Sequence, residues 1–187
     1  MDSVQNAPLA ALRNFFLAGS GEELTSACMA LANTKEKAPD MGDMDWEEAE
    51  FAFNKLFVGP MALQAPPYAS YYLEAEPQLM GESTLKVRRL YDMAGLVSPL
   101  QGHLPDDHLG VELDAALALL SMAKYLDAEE PRALWHYFLH EHLHTWLPKF
   151  INQARNAETG HPVADLALDH LEAWFNDQET KQEGFDQ

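Results

Sequence analysis

The chain has 187 residues, 47% of them hydrophobic, which suits a globular protein with a sizeable core and lies far above the range of a disordered chain. Twelve Lys and Arg against thirty Asp and Glu leave a formal charge of −18, which makes phosphate backbones and anionic lipid poor partners and attracts cationic ones, besides aiding solubility. The opening Met1-Asp2-Ser3-Val4-Gln5-Asn6 lacks the basic stretch of a secretory signal, and no apolar run reaches the length of a membrane span, so the expected compartment is the cytoplasm.

Helical period dominates along the chain, with no clean strand alternation. Leu9, Leu12, Phe15 and Phe16 mark a first amphipathic helix, stopped by the turn Gly19-Ser20-Gly21. A second runs through Leu24, Cys28 and Leu31, where the sole cysteine reads as a buried small hydrophobe and excludes an internal disulfide. A polar loop from Pro39 to Asp45 precedes a third stripe, Trp46, Ala49, Phe53, Leu56 and Phe57, ended by Gly59-Pro60. Residues 59–72, with Pro60, Pro66 and Pro67, read as a loop with short turns.

Pro77 can open a fourth helix burying Val87, Leu90, Tyr91 and Ala94, followed by a loop from Gly95 to Leu104. Pro105 suits the first turn of a fifth helix, whose core stripe is Leu109, Leu113, Ala116, Leu117 and Leu120. A sixth helix opens at Pro131 and runs to about Leu147, where Pro148 is expected to kink or end it. After Gly160-His161-Pro162 the last stripe is Val163, Leu166, Ala167, His170, Leu171 and Trp174, and a polar, frayed tail is expected from Asp177. The expectation is an all-α, single-domain helical bundle over residues 1–187 with long proline-rich loops.

Two constellations carry chemistry. Residues 140–144 read His-Glu-His-Leu-His and satisfy the zinc-peptidase pattern, in which imidazoles at i and i+4 chelate zinc and the intervening Glu acts as base. No third ligand follows: Thr145, Trp146, Leu147 and Pro148 stand where an extension would lie, and nothing in spacing selects Glu158 or Glu172. His136, His140 and His144 form a helix stripe ~12 Å long, too long to converge on one ion. Asp106-Asp107-His108 has no accompanying nucleophile, and no phosphate loop or dinucleotide fingerprint is present. The reading is therefore no catalytic residue, no metal and no cofactor, with a zinc hydrolase on His140, Glu141 and His144, or a helical interaction module, as the alternatives.

The second constellation is a pair of loops. Lys55-Leu56-Phe57-Val58-Gly59-Pro60-Met61 leads into Pro66-Pro67-Tyr68-Ala69-Ser70-Tyr71-Tyr72, with Gly81-Glu82-Ser83-Thr84 downstream and then His103-Leu104-Pro105-Asp106-Asp107-His108-Leu109-Gly110. From spacing alone Phe53 and Phe57 could be core or a displayed apolar strip, and Asp106 and Asp107 could cap a helix. In order, these elements resemble the TorD/DmsD family of cytoplasmic redox-enzyme maturation chaperones, nearest its DmsD branch: Leu-Phe-Val-Gly-Pro, Pro-Pro-aromatic, Gly-x-Ser-Thr and Pro-x-Asp-His. The likeness covers about Phe53 to Gly110, and Trp146-Leu147-Pro148-Lys149-Phe150 matches a later aromatic segment loosely.

The resemblance implies a non-enzymatic, all-helical chaperone. It would bind the twin-arginine signal peptide of a molybdenum-cofactor oxidoreductase of the dimethyl sulfoxide or trimethylamine N-oxide reductase type and hold the enzyme until cofactor insertion precedes export. Implied partners are that leader, the catalytic subunit behind it and the twin-arginine translocase, as a monomer or a helix-swapped dimer. Carried over residue by residue, the peptide-binding positions are Phe53, Phe57, Met61, Tyr68, Tyr72, Gly81, Pro105, Asp107 and His108. DmsD-like members have tryptophan where this chain has Phe53, Met61, Tyr68 and Tyr72, which alters the groove's shape and its choice of leader. The residue chemistry suits leader binding, since a carboxylate such as Asp107 can take a guanidinium in two bonds and an apolar groove can hold the leader's hydrophobic region.

Overall fold

The structure, a computed structural model, describes residues 6–34, 41–76, 79–98, 100–126 and 128–183. It is all-α among those residues, as expected, and divides into two compact units, Met1–Pro66 with Ile151–Gln187 and Pro67–Phe150. Pro39 and Pro77, expected to open a loop and a helix, lie outside the described residues.

The first unit holds α1 (Ala7–Phe16), α2 (Gly21–Ala32), α3 (Trp46–Phe53) and α9 (Pro162–Glu183). Two of these helices carry a side-chain cap at their N-terminus. Ser20 caps α2 by accepting the Glu23 N–H at 3.3 Å, and Asp45 caps α3 by accepting those of Glu47 and Glu48 at 3.1 Å. The predicted stripes then face inward: Leu9, Leu12, Phe15, Leu24, Cys28 and Leu31 are buried, and α9 packs on α1, α2 and α3. Burial pushes the Cys28 thiol up to about 12, so it behaves as the apolar group expected. His170 of α9 is held between Thr34 Oγ1 at 2.9 Å and the Leu166 carbonyl at 2.8 Å. The helix continues through Asp177 to Glu183, past the start of the polar tail read from sequence.

The α3 stripe ends in a π-helical turn, Asn54–Val58, in which the Gly59 N–H reaches five residues back to the Asn54 carbonyl at 2.8 Å. Gly59 has φ 109°, a conformation open to glycine, and precedes a cis Pro60. The loop beyond is tied down through Gln64, whose carbonyl accepts from Gln153 Nε2 at 2.7 Å and whose Oε1 accepts from the Thr159 N–H at 3.0 Å.

The second unit holds α4 (Ala69–Leu73), α5 (Glu82–Met93), α6 (Leu109–Tyr125), α7 (Glu129–Tyr137), a second π turn (Phe138–Leu143) and the first part of α8 (His144–Arg155). Its core is Leu109, Leu113, Ala116, Phe138, Leu139, Leu143, Trp146 and Phe150, all at 0% exposure. Two proline expectations change. Helix α6 begins at Leu109, so Pro105 precedes the helix and the cap is His108, whose ring nitrogen accepts the Gly110 N–H. Pro148 lies inside α8, which continues to Arg155. The departure from α geometry comes earlier, at the π turn, where the His144 N–H bonds the Leu139 carbonyl five residues back.

Candidate functional site

The second unit brings the two proline loops together. The Leu109 N–H donates to the Pro67 carbonyl at 2.8 Å and the Ala69 N–H to the Asp107 carbonyl at 3.0 Å, making a single antiparallel bridge of Tyr68 with His108. Tyr68 stands at the N-cap of α4 and offers no capping side chain. Asp107 supplies the cap from the other loop: its Oδ2 accepts the Ser70 N–H at 2.8 Å, while its backbone carbonyl takes Ala69. Asp107 is fully buried, and its Oδ1 and the neighbouring Ser70 Oγ are buried without a hydrogen-bond partner.

His108 is equally constrained. Its Nδ1 accepts the Gly110 N–H at 3.1 Å, and its ring meets Tyr68 edge to face at 5.0 Å. Burial pulls its pKa down to about 4 against the opposing charge of Asp107, so the ring is neutral near pH 7. Burial and, secondarily, Asp107 push the Tyr68 hydroxyl up. Asp106 faces elsewhere, pairing with Arg88 Nε at 2.5 Å while its carbonyl accepts from the Tyr91 hydroxyl at 3.1 Å. Spacing alone could not separate Asp106 from Asp107; the structure does, as an ion pair and a cap. Pro105 tightens the turn, its carbonyl accepting the His108 N–H at 3.1 Å.

Gly81 and Tyr72 belong to the same unit. Glu74 reaches over Gly81 to cap α5, its Oε1 accepting the Ser83 N–H at 2.8 Å and the Ser83 hydroxyl at 2.5 Å. A Cβ on Gly81 would overlap the Glu74 side chain, so the glycine makes room for that cap. Tyr72 stacks on Trp146 at 5.8 Å and meets Phe150 edge-on at 6.2 Å, leaving its hydroxyl buried without a partner.

Phe53, Phe57 and Met61 lie in the first unit, where the two phenylalanines take the core alternative that their spacing left open. Both are buried, 3% and 2% exposed, in an edge-to-face cluster with Phe15 and Phe16 at 5.2 to 6.3 Å. The helix face that carries them points into the core because that is where four rings can be removed from water together. Met61 is the opposite case, 78% exposed.

The histidine stripe is also reshaped. The π turn draws His142 inward, where its Nε2 bonds Glu112 Oε1 at 2.6 Å, and Trp146 Nε1 donates to Glu112 Oε2 at 3.2 Å. Glu112 is fully buried; burial raises its pKa to about 7, with His142 and the Trp146 bond opposing. The His136 and His140 rings lie 4.5 Å apart. Among the described residues no group of three or more His, Cys, Asp or Glu side chains is placed to hold a metal ion. Sequence reading missed Glu112, although a signal existed: a carboxylate sharing a helix face with Leu109 and Ala116 must find a buried partner.

Residues 20–152 match the family described as nitrate reductase delta subunit. The Tat proofreading chaperone DmsD of Salmonella typhi is 34% identical over 127 residues, 66% of this chain and 58% of that protein. The chaperone protein TorD of a Psychrobacter species is 29% identical over 125 residues, 66% of this chain and 56% of that protein. The chain thus spans somewhat under two thirds of the length of these curated relatives, which are named as chaperones and not as enzymes. The solved structure of a candidate redox enzyme maturation protein from Archaeoglobus fulgidus shares the fold, with a TM-score of 0.60, 21% identity and coverage of 91% of this chain and 93% of that one. A buried bridge between two proline loops on an all-α frame, together with this family match, gives the conclusion: the chain belongs to the nitrate reductase delta subunit family, the family of the TorD and DmsD redox-enzyme maturation chaperones.

Proposed function

We propose that the protein is a maturation chaperone that binds the twin-arginine leader of a molybdenum-cofactor oxidoreductase and retains it until cofactor insertion is complete. On this reading it works in the cytoplasm, ahead of the twin-arginine translocase, with the catalytic subunit behind the leader as its client. The observation that carries the reading is Asp107. A buried carboxylate with one oxygen capping a helix and the other unpartnered is unusual in a native core, since an unmet acceptor costs about 1–3 kcal/mol. A guanidinium would satisfy it with a charge-assisted bond.

Reaching it requires the Pro67–Ser70 segment to lift from Asp107 and Leu109. That segment is held there by the hydrogen bonds of the Leu109, Ala69 and Ser70 N–H groups, a small set for local opening to break. The exposed Met61 offers adaptable apolar surface for a leader's hydrophobic region, and the −18 charge steers a cationic peptide inward.

The test is titration of the protein with a synthetic leader containing Ser-Arg-Arg-x-Phe-Leu-Lys and its apolar region. Saturable binding that weakens with salt, and about tenfold with Asp107→Asn, supports the reading. Equal binding of a Lys-Lys leader, or an unaffected variant, counts against it.

A further inference from the structure

Within the second unit a cleft of about 320 Å³ opens among the end of α4, the first part of α5 and the π turn with its flanking residues. Leu73, Val87, Leu90 and Phe138 give it apolar walls, and the half-exposed Tyr137 joins them. Three carboxylates also line it, Glu74, Glu82 and Glu141, against a single ammonium, Lys86.

The three differ in what they have left to offer. Glu82 is paired with Lys86 at 3.4 Å. Glu74 is engaged at Oε1 with Ser83. Glu141 is exposed and makes no side-chain hydrogen bond or ion pair among the described residues. Beside it His142, only 8% exposed, lines the same cleft and is fixed from behind by Glu112. The π turn therefore does two jobs in consecutive residues: it anchors His142 in the core and leaves Glu141 unpaired at the cleft.

This combination selects among occupants. An anionic group would meet uncompensated carboxylates, and a purely apolar one would bring low-dielectric surface against them without pairing them. An arginine side chain answers both features. Its methylene stem can lie along Leu73, Val87 and Leu90 while its planar fork reaches carboxylate oxygens.

From this complementarity we infer that the cleft receives an arginine side chain of a bound basic peptide, with Glu141 and Glu74 as its acceptors. The inference rests on the leader-binding reading and assigns one of the leader's basic residues a seat distinct from Asp107. It also gives the His-Glu-His run a role other than metal chelation: Glu141 as acceptor and His142 as the residue that positions it.

The experiment titrates labelled leader peptides with Arg-Arg or Gln-Gln at the paired positions into wild-type protein, Glu141→Gln and Lys86→Gln. Both side chains are exposed, so thermal melts should be unchanged. Glu141→Gln should weaken the Arg-Arg leader about three- to tenfold and leave the Gln-Gln leader within about twofold. Lys86→Gln should tighten the Arg-Arg leader by about twofold, an opposite sign that a general loosening of the fold would not produce. Unchanged Arg-Arg binding by Glu141→Gln, or equal weakening of both leaders, overturns the cleft assignment. Wild-type protein that binds neither leader overturns the leader reading itself.

Discussion

Glu112 and His142 meet in the interior of the second unit, Oε1 to Nε2 at 2.6 Å, so a residue of α6 and a residue of the second π turn share a buried bond across 30 positions of sequence. The pair links α6, the helix capped by His108, to the wall of the acidic cleft, and it makes stability depend on pH.

Glu112 titrates in the folded protein near 7, above its ordinary carboxylate value, because burial disfavours the charged form. A carboxyl whose folded pKa is raised binds its proton more tightly when folded. Its contribution is therefore fully present below the unfolded pKa and declines as pH rises from about 4.5 through about 7. Denaturant melts across this window should show Glu112→Gln with a flatter dependence than wild type on the alkaline side. An unchanged slope would remove Glu112 as the titrating group.

His108 acts in the opposite direction. Its folded pKa, about 4, lies below the unfolded 6.5, so its contribution is full above pH 6.5 and is lost as pH falls toward 4. The full loss amounts to roughly 3 kcal/mol. His108→Asn keeps an oxygen able to cap α6 and removes the titration, and should lose less stability than wild type between pH 7 and pH 4 by urea melts.

Gly81 and Glu74 form a steric pair with a testable non-additivity. Gly81→Ala should lower the melting temperature because its Cβ displaces the Glu74 cap. With Glu74→Ala already in place the same change should be nearly silent, since φ at Gly81 is −83° and suits any residue. A double-mutant cycle by thermal unfolding reads this directly, and additive costs would refute the pairing.

Phe57 and Met61 should separate stability from binding. Phe57→Ala empties a place in a four-ring cluster and should cost about 3–5 kcal/mol. Met61→Ala, at 78% exposure, should leave the melt within about 0.5 kcal/mol and act on leader affinity alone. A large stability loss at Met61 would contradict its exposure.

The helices were legible because they are local. A period of 3.6 in Leu9, Leu12, Phe15 and Phe16, or in Leu109, Leu113 and Ala116, states which face is apolar without reference to the rest of the chain, whereas the caps at Ser20 and Asp45 showed only in the structure. The two loops were legible as punctuation, and their ordered motifs as a family resemblance that the match over residues 20–152 supports. Neither π turn was visible, since an i→i+5 bond replaces i→i+4 only when packing favours the wider turn.

What the sequence by itself determined is an acidic, all-helical chain with two proline-punctuated loops and apolar stripes that must be buried somewhere. What only the tertiary structure decided is the partner of each polar group. Asp107 caps a helix through Ser70, 37 residues earlier, Glu112 finds His142, and Glu74 reaches over Gly81. Those pairings join separate elements, and a buried carboxylate takes whichever donor the packed core brings within about 3 Å of it, a choice that no local pattern encodes.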